Sequence, residues 1–342
     1  MTTEIDPRDP DAVATAVAGW ASARFGSAVT VATDPAAISG GFDSFIHRVE
    51  LVGDALPAEW SRPVVVRVLP SPDRAPLANR EAAVQTWCGE HGFPAPAVLA
   101  VLSPDDGLGR PAQIMELAPG STMLAAVTSR PWQAMGLVDR LAGLARHLHA
   151  LPVDGFPGPV WAERLVDQRL ALPRVVVAEL EVPALAGALT HAEAAADAAM
   201  TGPAVVCHGD FHPLNVVVDG PASSVIDWTD AGLGPREADV ARTLLLFHVA
   251  AVAADGAVQR AALRLAGPRL ARRYRRAYET GMRLDPELLQ RWELLHAVHG
   301  WAQVEMLRAG GFDGASSASP DAVPDDVARF LQARAEALTS GG

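Results

Sequence analysis

An α+β protein built as two lobes is what this sequence predicts, and three observations carry that reading. Dividing 342 residues by about 150 per domain gives roughly two domains. The texture of the chain changes once. Up to about residue 117 short β-type runs alternate with Gly and Pro breaks, and beyond it the chain is rich in Ala and Leu at helical spacing. Hydrophobic residues are 49% and charged residues 20% of the chain, ordinary globular usage with enough apolar mass for a core. The expectation is an N-lobe at 1–117, a five-stranded antiparallel sheet with one main helix, and a mainly helical C-lobe at 118–342.

Each element follows in order. Residues 10 to 25 have helical apolar spacing. Strand-type runs come next at Val29 to Ile38, Phe45 to Val52, Pro63 to Leu69, Ala97 to Leu102 and Pro111 to Glu116, with an amphipathic helix from about Arg74 to His91 between the third and fourth. After Pro119-Gly120 helical periodicity dominates, notably near 132–151, 165–199 and 237–299. One exception is 207–228, where VVV and SSVI flank Asp219-Gly220 as a short hairpin ending in Asp227. Residues 309 to 325 form a Gly/Ser/Pro/Asp-rich loop before a last helix.

Charge and cysteine content narrow the function. The balance is 28 basic against 40 acidic residues, a net charge of −12, which argues against nucleic acid or an anionic membrane as a partner. No Lys occurs anywhere, so every basic residue counted is Arg. No apolar run approaches bilayer length and the N-terminus carries no secretory pattern, so the chain reads as cytoplasmic. Cys88 and Cys207 are far apart and read as core residues.

The strongest chemical signal is His208-Gly209-Asp210, followed by Asn215 and, past the hairpin, by Asp227. Phosphoryl transfer needs a carboxylate to orient an acceptor hydroxyl and oxygen ligands to hold Mg²⁺ against a triphosphate. Asp210, Asn215 and Asp227 supply those groups, and Asp-x-x-x-x-Asn is the spacing of a kinase catalytic loop. His208 with Asp210 also fits an alternative, the facial triad of an Fe(II) oxygenase completed by His248 or His296. The helical sequence downstream disfavours it.

HGDFHPLN followed by VIDWTDAGLGPREADVA resembles the aminoglycoside phosphotransferase and choline kinase superfamily, small-molecule kinases with a protein-kinase-like fold. The resemblance implies Asp210 as the catalytic carboxylate, His208 as a residue bracing its loop, Asn215 and Asp227 as Mg²⁺ ligands, and Asp239 as an acidic residue chiefly of structural use. It further implies a phosphate-covering turn at Gly40, Gly41 and Ser44, and an ion pair between Arg67 on the third strand and Glu81 on the helix. Arg67 stands where the pattern usually has Lys. A guanidinium can hold the same partners, although the exchange is not conservative. Met115, Glu116, Leu117 and Ala118 resemble the linker whose backbone groups would meet the purine of ATP or GTP.

The implied activity is Mg-nucleotide-dependent phosphorylation of a hydroxyl on a small molecule such as an aminoglycoside, macrolide or nucleoside antibiotic, by a monomer or homodimer. Asp230, Glu237, Glu305 and Asp313, with Trp301 and Phe312, are the acceptor-site candidates. The rival reading is a nucleotide-binding pseudokinase, suggested by Arg67 and the unusual glycine turn. The helical histidines His147, His149, His296 and His299 read as core or helix-end residues. Arg269, Arg272, Arg273 and Arg276 share one face of a helix and read as a solvated stripe.

Overall fold

The computed structural model describes residues 5–38, 44–161, 165–253, 257–309 and 325–339. Gly40, Gly41, Phe312 and Asp313 lie outside the described residues. The chain divides into two compact units, Met1–Gly120 with Asp219–Ile226, and Ser121–Val218 with Asp227–Gly342.

The first unit opens with α1 (Pro10–Phe25), capped at its start by the Asp9 carboxylate and closed by Gly26 in the left-handed region at φ 70°. Two short strands follow, β1 (Thr30–Val31) and β2 (Ala36–Ala37), then β3 (Phe45–Val49) and β4 (Leu51–Val52). The first expected strand is therefore split. Pro35, between its halves, has no N–H to give a ladder, and it restricts the backbone of Asp34. As a result β1 pairs with β4 and β2 pairs with β3. After β5 (Val64–Val68), α2 (Ala75–Glu90), β6 (Val98–Leu102) and β7 (Ala112–Glu116), the main sheet is complete in the order β2-β3-β5-β7-β6, with every neighbouring pair antiparallel.

Alternation builds this core. Val64, Val66 and Val68 are buried while Val65 and Arg67 are half-buried, the period-two pattern of a strand with one face inward. On α2, Ala78, Glu81, Ala82, Gln85 and Cys88 are buried at helical spacing, and the helix packs against β6 and β7.

The second unit begins with β8 (Ser121–Thr122), α3 (Met123–Ser129), α4 (Ala134–His149), α5 (Leu165–Leu180) and α6 (Pro183–Ala199). Then come β9 (Ala204–Cys207), β10 (Val216–Asp219), β11 (Ala222–Val225) and β12 (Gly232–Pro235), and after them α7 (Arg236–Ala253), α8 (Ala257–Glu279), α9 (Pro286–Arg308) and α10 (Asp325–Thr339). Helix α9 is the hub. Its middle is buried on all sides and it packs against α5, α6, α7 and α10, the condition of a central helix. β12 pairs with β9, and a Cβ on either Gly232 or Gly234 would strike the Trp161 indole, so glycine is required at both. β11 groups with the first unit, where Val225 N–H donates to Pro94 O at 2.7 Å. No described helix is long and apolar enough to cross a membrane.

Ile114 is fully buried on β7, with Val66 and Ala100 as its ladder partners. Ile114→Ala is expected to destabilise the fold by about 2–5 kcal/mol through lost burial and an unfilled cavity. Urea unfolding measures it, and a change below about 1 kcal/mol would mean this sheet is not the core of its unit.

Candidate active site

The loop after β9 is held from α7. Asp239, Arg242 and Thr243 lie at i, i+3 and i+4 and so share one face of the helix. Asp239, 1% exposed, accepts the backbone N–H of His208 on Oδ2 and that of Gly209 on Oδ1, both at 2.7 Å. The Thr243 hydroxyl donates to Phe211 O at 2.6 Å. Arg242 Nε donates to Asp210 Oδ1 at 2.9 Å. Behind Asp239, His149 Nε2 lies 3.2 Å from Oδ2, and its Nδ1 is hydrogen-bonded to the Tyr278 hydroxyl at 2.7 Å.

On its other side the loop meets α5. Arg169 Nη2 donates to Gly209 O at 3.1 Å and to Asp230 Oδ2 at 2.7 Å. The Arg169 carbonyl in turn accepts a hydrogen bond from His299 Nδ1 at 3.0 Å. Burial, reinforced by the Arg169 and Arg242 charges, pushes the His299 imidazole down to about 3, so it stays neutral. Gly209 sits at φ 83°, and a Cβ there would strike the backbone of Asp230. Both conditions demand glycine.

Asp210 is the focus of this scaffold. Its side chain is 28% exposed. Oδ2 lies 3.1 Å from His212 Nε2, and Asn215 Nδ2 donates to the Asp210 carbonyl at 2.9 Å and to Oδ2 at 3.3 Å. Burial would raise the carboxyl pKa, but the Arg242 charge and the hydrogen bonds from His212 and Arg242 outweigh it and hold the group well below the usual carboxylate range. Asn215 spends its amide nitrogen on Asp210, which leaves its carbonyl oxygen as the group suited to a hard cation. Asp227 has a left-handed backbone at φ 65°, uncommon away from glycine and least costly for Asp or Asn. The Thr229 hydroxyl donates to its Oδ1 at 2.7 Å.

In the first unit, Arg67 Nη1 meets Glu81 Oε2 at 2.5 Å and its Nε donates to Ser44 Oγ at 3.0 Å. Gln113, opposite Arg67 in the ladder, donates to Glu81 Oε2 at 3.2 Å. The strand therefore carries a braced guanidinium where sequence reading placed one. Met115 is buried and Glu116 ends the ladder opposite Val64. Leu117 and Ala118 follow it as half-buried residues beyond the strand.

Several expectations are corrected. Glu237 is 2% exposed and accepts the Asp285 N–H at 3.0 Å, tying α7 to the start of α9, so it does not face an acceptor. Trp301 is 2% exposed and its indole N–H donates to Glu305 Oε1 at 3.1 Å, which also lies 3.4 Å from Arg308. The Asp230 carboxylate is paired with Arg169. Among the described residues no facial triad forms around His208 and Asp210. The fully buried His208 ring lies 4.9 Å from Trp228 and 5.8 Å from Phe211, while His248 and His296 bond backbone carbonyls of α7. His149, Cys207 and Asp239 cluster closely, but both Asp239 oxygens already take loop N–H groups. Burial also raises the Cys207 thiol well above its ordinary pKa, away from the thiolate a metal would need. Sequence reading missed Arg169, His212, Arg242 and Thr243. Arg242 and Thr243 had a signal, because they repeat the helical phase of Asp239.

Comparison with known proteins places this arrangement. Residues 56–288 match the family model described as the phosphotransferase enzyme family, and the chain belongs to that family. An aminoglycoside 3'-phosphotransferase of Streptomyces fradiae is 33% identical over 174 residues, 47% of this chain and 61% of the relative, so the match spans under two thirds of that protein. The crystal structure of aminoglycoside-3'-phosphotransferase of type VIII is 25% identical, covers 83% of this chain and 97% of its own, and has a TM-score of 0.56. A thermostable mutant of aminoglycoside phosphotransferase APH(4)-Ia, solved as a ternary complex with AMP-PNP and hygromycin B, is 18% identical with a TM-score of 0.62 over 95% of this chain and 98% of that one. These likenesses establish the α+β, kinase-like fold.

Two consequences can be measured. Asp239→Ala strands two buried N–H groups and is expected to cost about 2–5 kcal/mol in chemical denaturation; a loss below about 1 kcal/mol would show that the loop holds itself. Because the Asp210 carboxyl is lower in the folded chain than in the unfolded one, the stability it lends is complete above its ordinary pKa of about 4 and is lost as pH falls toward the folded value. The advantage of wild type over Asp210→Asn is expected to hold at pH 6 and shrink by pH 3, and a flat difference would contradict the shift.

Proposed function

We propose that this protein transfers the γ-phosphoryl group of ATP or GTP to a hydroxyl of a small hydroxylated molecule, an antibiotic of aminoglycoside, macrolide or nucleoside type. The observation that carries the reading is the Asp210 carboxylate, kept ionised and flanked by Asn215 on one loop. Solved relatives crystallised with AMP-PNP and hygromycin B, and with ADP and spectinomycin, support a nucleotide donor and an antibiotic acceptor.

The residues divide the work. Asp210 orients the acceptor hydroxyl and takes its proton as the new P–O bond forms and the bond from the γ-phosphorus to the β–γ bridging oxygen breaks. Nucleoside diphosphate departs, and the proton passes on to solvent. A carboxyl held this low is a weak base, so its main contribution is orientation and negative charge beside the attacking oxygen. Asn215 and Asp227 are oxygen donors of the kind Mg²⁺ takes, and the ion would neutralise charge on the phosphates. Arg67, braced by Glu81 and Ser44, would hold phosphate oxygens with a fixed charge. Gly40 and Gly41, a few positions before Ser44 in the sequence, would cover them. His208 braces the loop from beneath, and the backbone of Met115, Glu116, Leu117 and Ala118 would meet the purine.

The test is incubation with γ-labelled ATP or GTP and Mg²⁺ against aminoglycosides, macrolides, nucleoside antibiotics, choline and simple sugars, read by mass spectrometry. A product heavier by one phosphate, lost by about a thousand-fold or more in Asp210→Asn, is the expected result. Nucleotide binding without transfer to any acceptor would favour a pseudokinase, and transfer surviving in Asp210→Asn would remove Asp210 from the chemistry.

A further inference from the structure

The two oxygens of the Asp210 carboxylate are not equally engaged. Oδ2 receives the Asn215 amide at 3.3 Å and lies 3.1 Å from His212 Nε2. Oδ1 has one partner among the described residues, Arg242 Nε at 2.9 Å. A carboxylate oxygen offers two lone-pair directions, so Oδ2 is filled and Oδ1 keeps one open. The group that fixes the open oxygen comes from a different element than the rest. His212 and Asn215 belong to the loop and move with Asp210, whereas Arg242 is on α7, whose neighbouring residues Asp239 and Thr243 bind the same loop. Arg242 is only 14% exposed and engages Asp210 through its inner nitrogen, and its two terminal nitrogens make no bond to another described residue.

We propose that Arg242 is a positioning residue for transfer: by occupying one lone pair of Oδ1 it turns the other toward the acceptor hydroxyl. This rests on the phosphotransfer reading given above. The role requires direction as well as charge. A guanidinium Nε–H is rigidly placed in a planar fork, while a lysine ammonium in the same space supplies charge on a flexible stem.

Kinetics of the full chain, with an acceptor that wild type phosphorylates, test the proposal. R242M is expected to lower kcat by about 30- to 300-fold with the nucleotide KM within about three-fold of wild type. R242K is expected to recover about ten-fold of that loss. In the D210N background R242M is expected to cost less than about two-fold more, because Arg242 acts through Asp210. An R242M enzyme within about two-fold of wild type, a loss carried by nucleotide KM, or additive losses in the double variant would each overturn the proposal. Should R242M fail to fold, R242K carries the same comparison, with a kcat within about two-fold of wild type as the contrary result. Wild type that transfers to no acceptor overturns the phosphotransfer reading itself, and that outcome is seen before any variant is compared.

Discussion

Much of the second unit's chemistry depends on one buried carboxylate. Asp239 accepts two consecutive backbone N–H groups, those of His208 and Gly209, and so pins the loop where β9 ends. Those N–H groups are buried with the loop and would otherwise be orphaned at a cost of about 1–3 kcal/mol each. The carboxylate in turn would be costly to bury without donors. Each side satisfies the other, and the turn beyond them, Gly209 at φ 83°, follows from the direction in which the two N–H groups must point. With position 209 fixed, Asp210 emerges at one place, and α7 supplies Arg242 to hold Asp210 and Thr243 to hold Phe211.

Two aspartates within one loop system thus have separate duties because their surroundings differ. Asp239 is sealed and answered by backbone dipoles, so it serves as an anchor. Asp210 is partly open and answered by a guanidinium, so it stays ionised with part of its carboxylate exposed. Neutral imidazoles fill the space between charges. Burial and the Arg169 and Arg242 charges push the pKa of His296 and His299 downward, which keeps extra positive charge away from the arginines that hold the loop.

The loop after β9 was legible in the sequence because its residues lie at short range: His208, Gly209, Asp210 and Asn215 fall within a single loop. The Arg67–Glu81 pair was legible from strand alternation and helix placement together with the family resemblance. What escaped were residues whose partners lie far along the chain. Arg242 is separated from Asp210 by 32 positions and Arg169 from Asp230 by 61; spacing puts Arg242 on the helix face of Asp239 but does not say which loop that face meets. The same limit misled the reading of Glu237 and Trp301, since a charge or an aromatic on a helix is equally compatible with surface and core until its neighbours are known. The first strand broke for a local reason, at Pro35, that the apolar pattern alone concealed.

The absence of lysine gives the Arg67–Glu81 pair a further meaning. At the position where related kinases usually carry an ammonium that can lose its proton and attack an electrophile, this chain carries a delocalised cation that keeps its proton throughout the pH range in which proteins fold. Reagents that acylate amines would find no side-chain amine on this strand, or anywhere else in the sequence. The fixed positive charge beside Glu81 is thereby present without the covalent vulnerability of an amine.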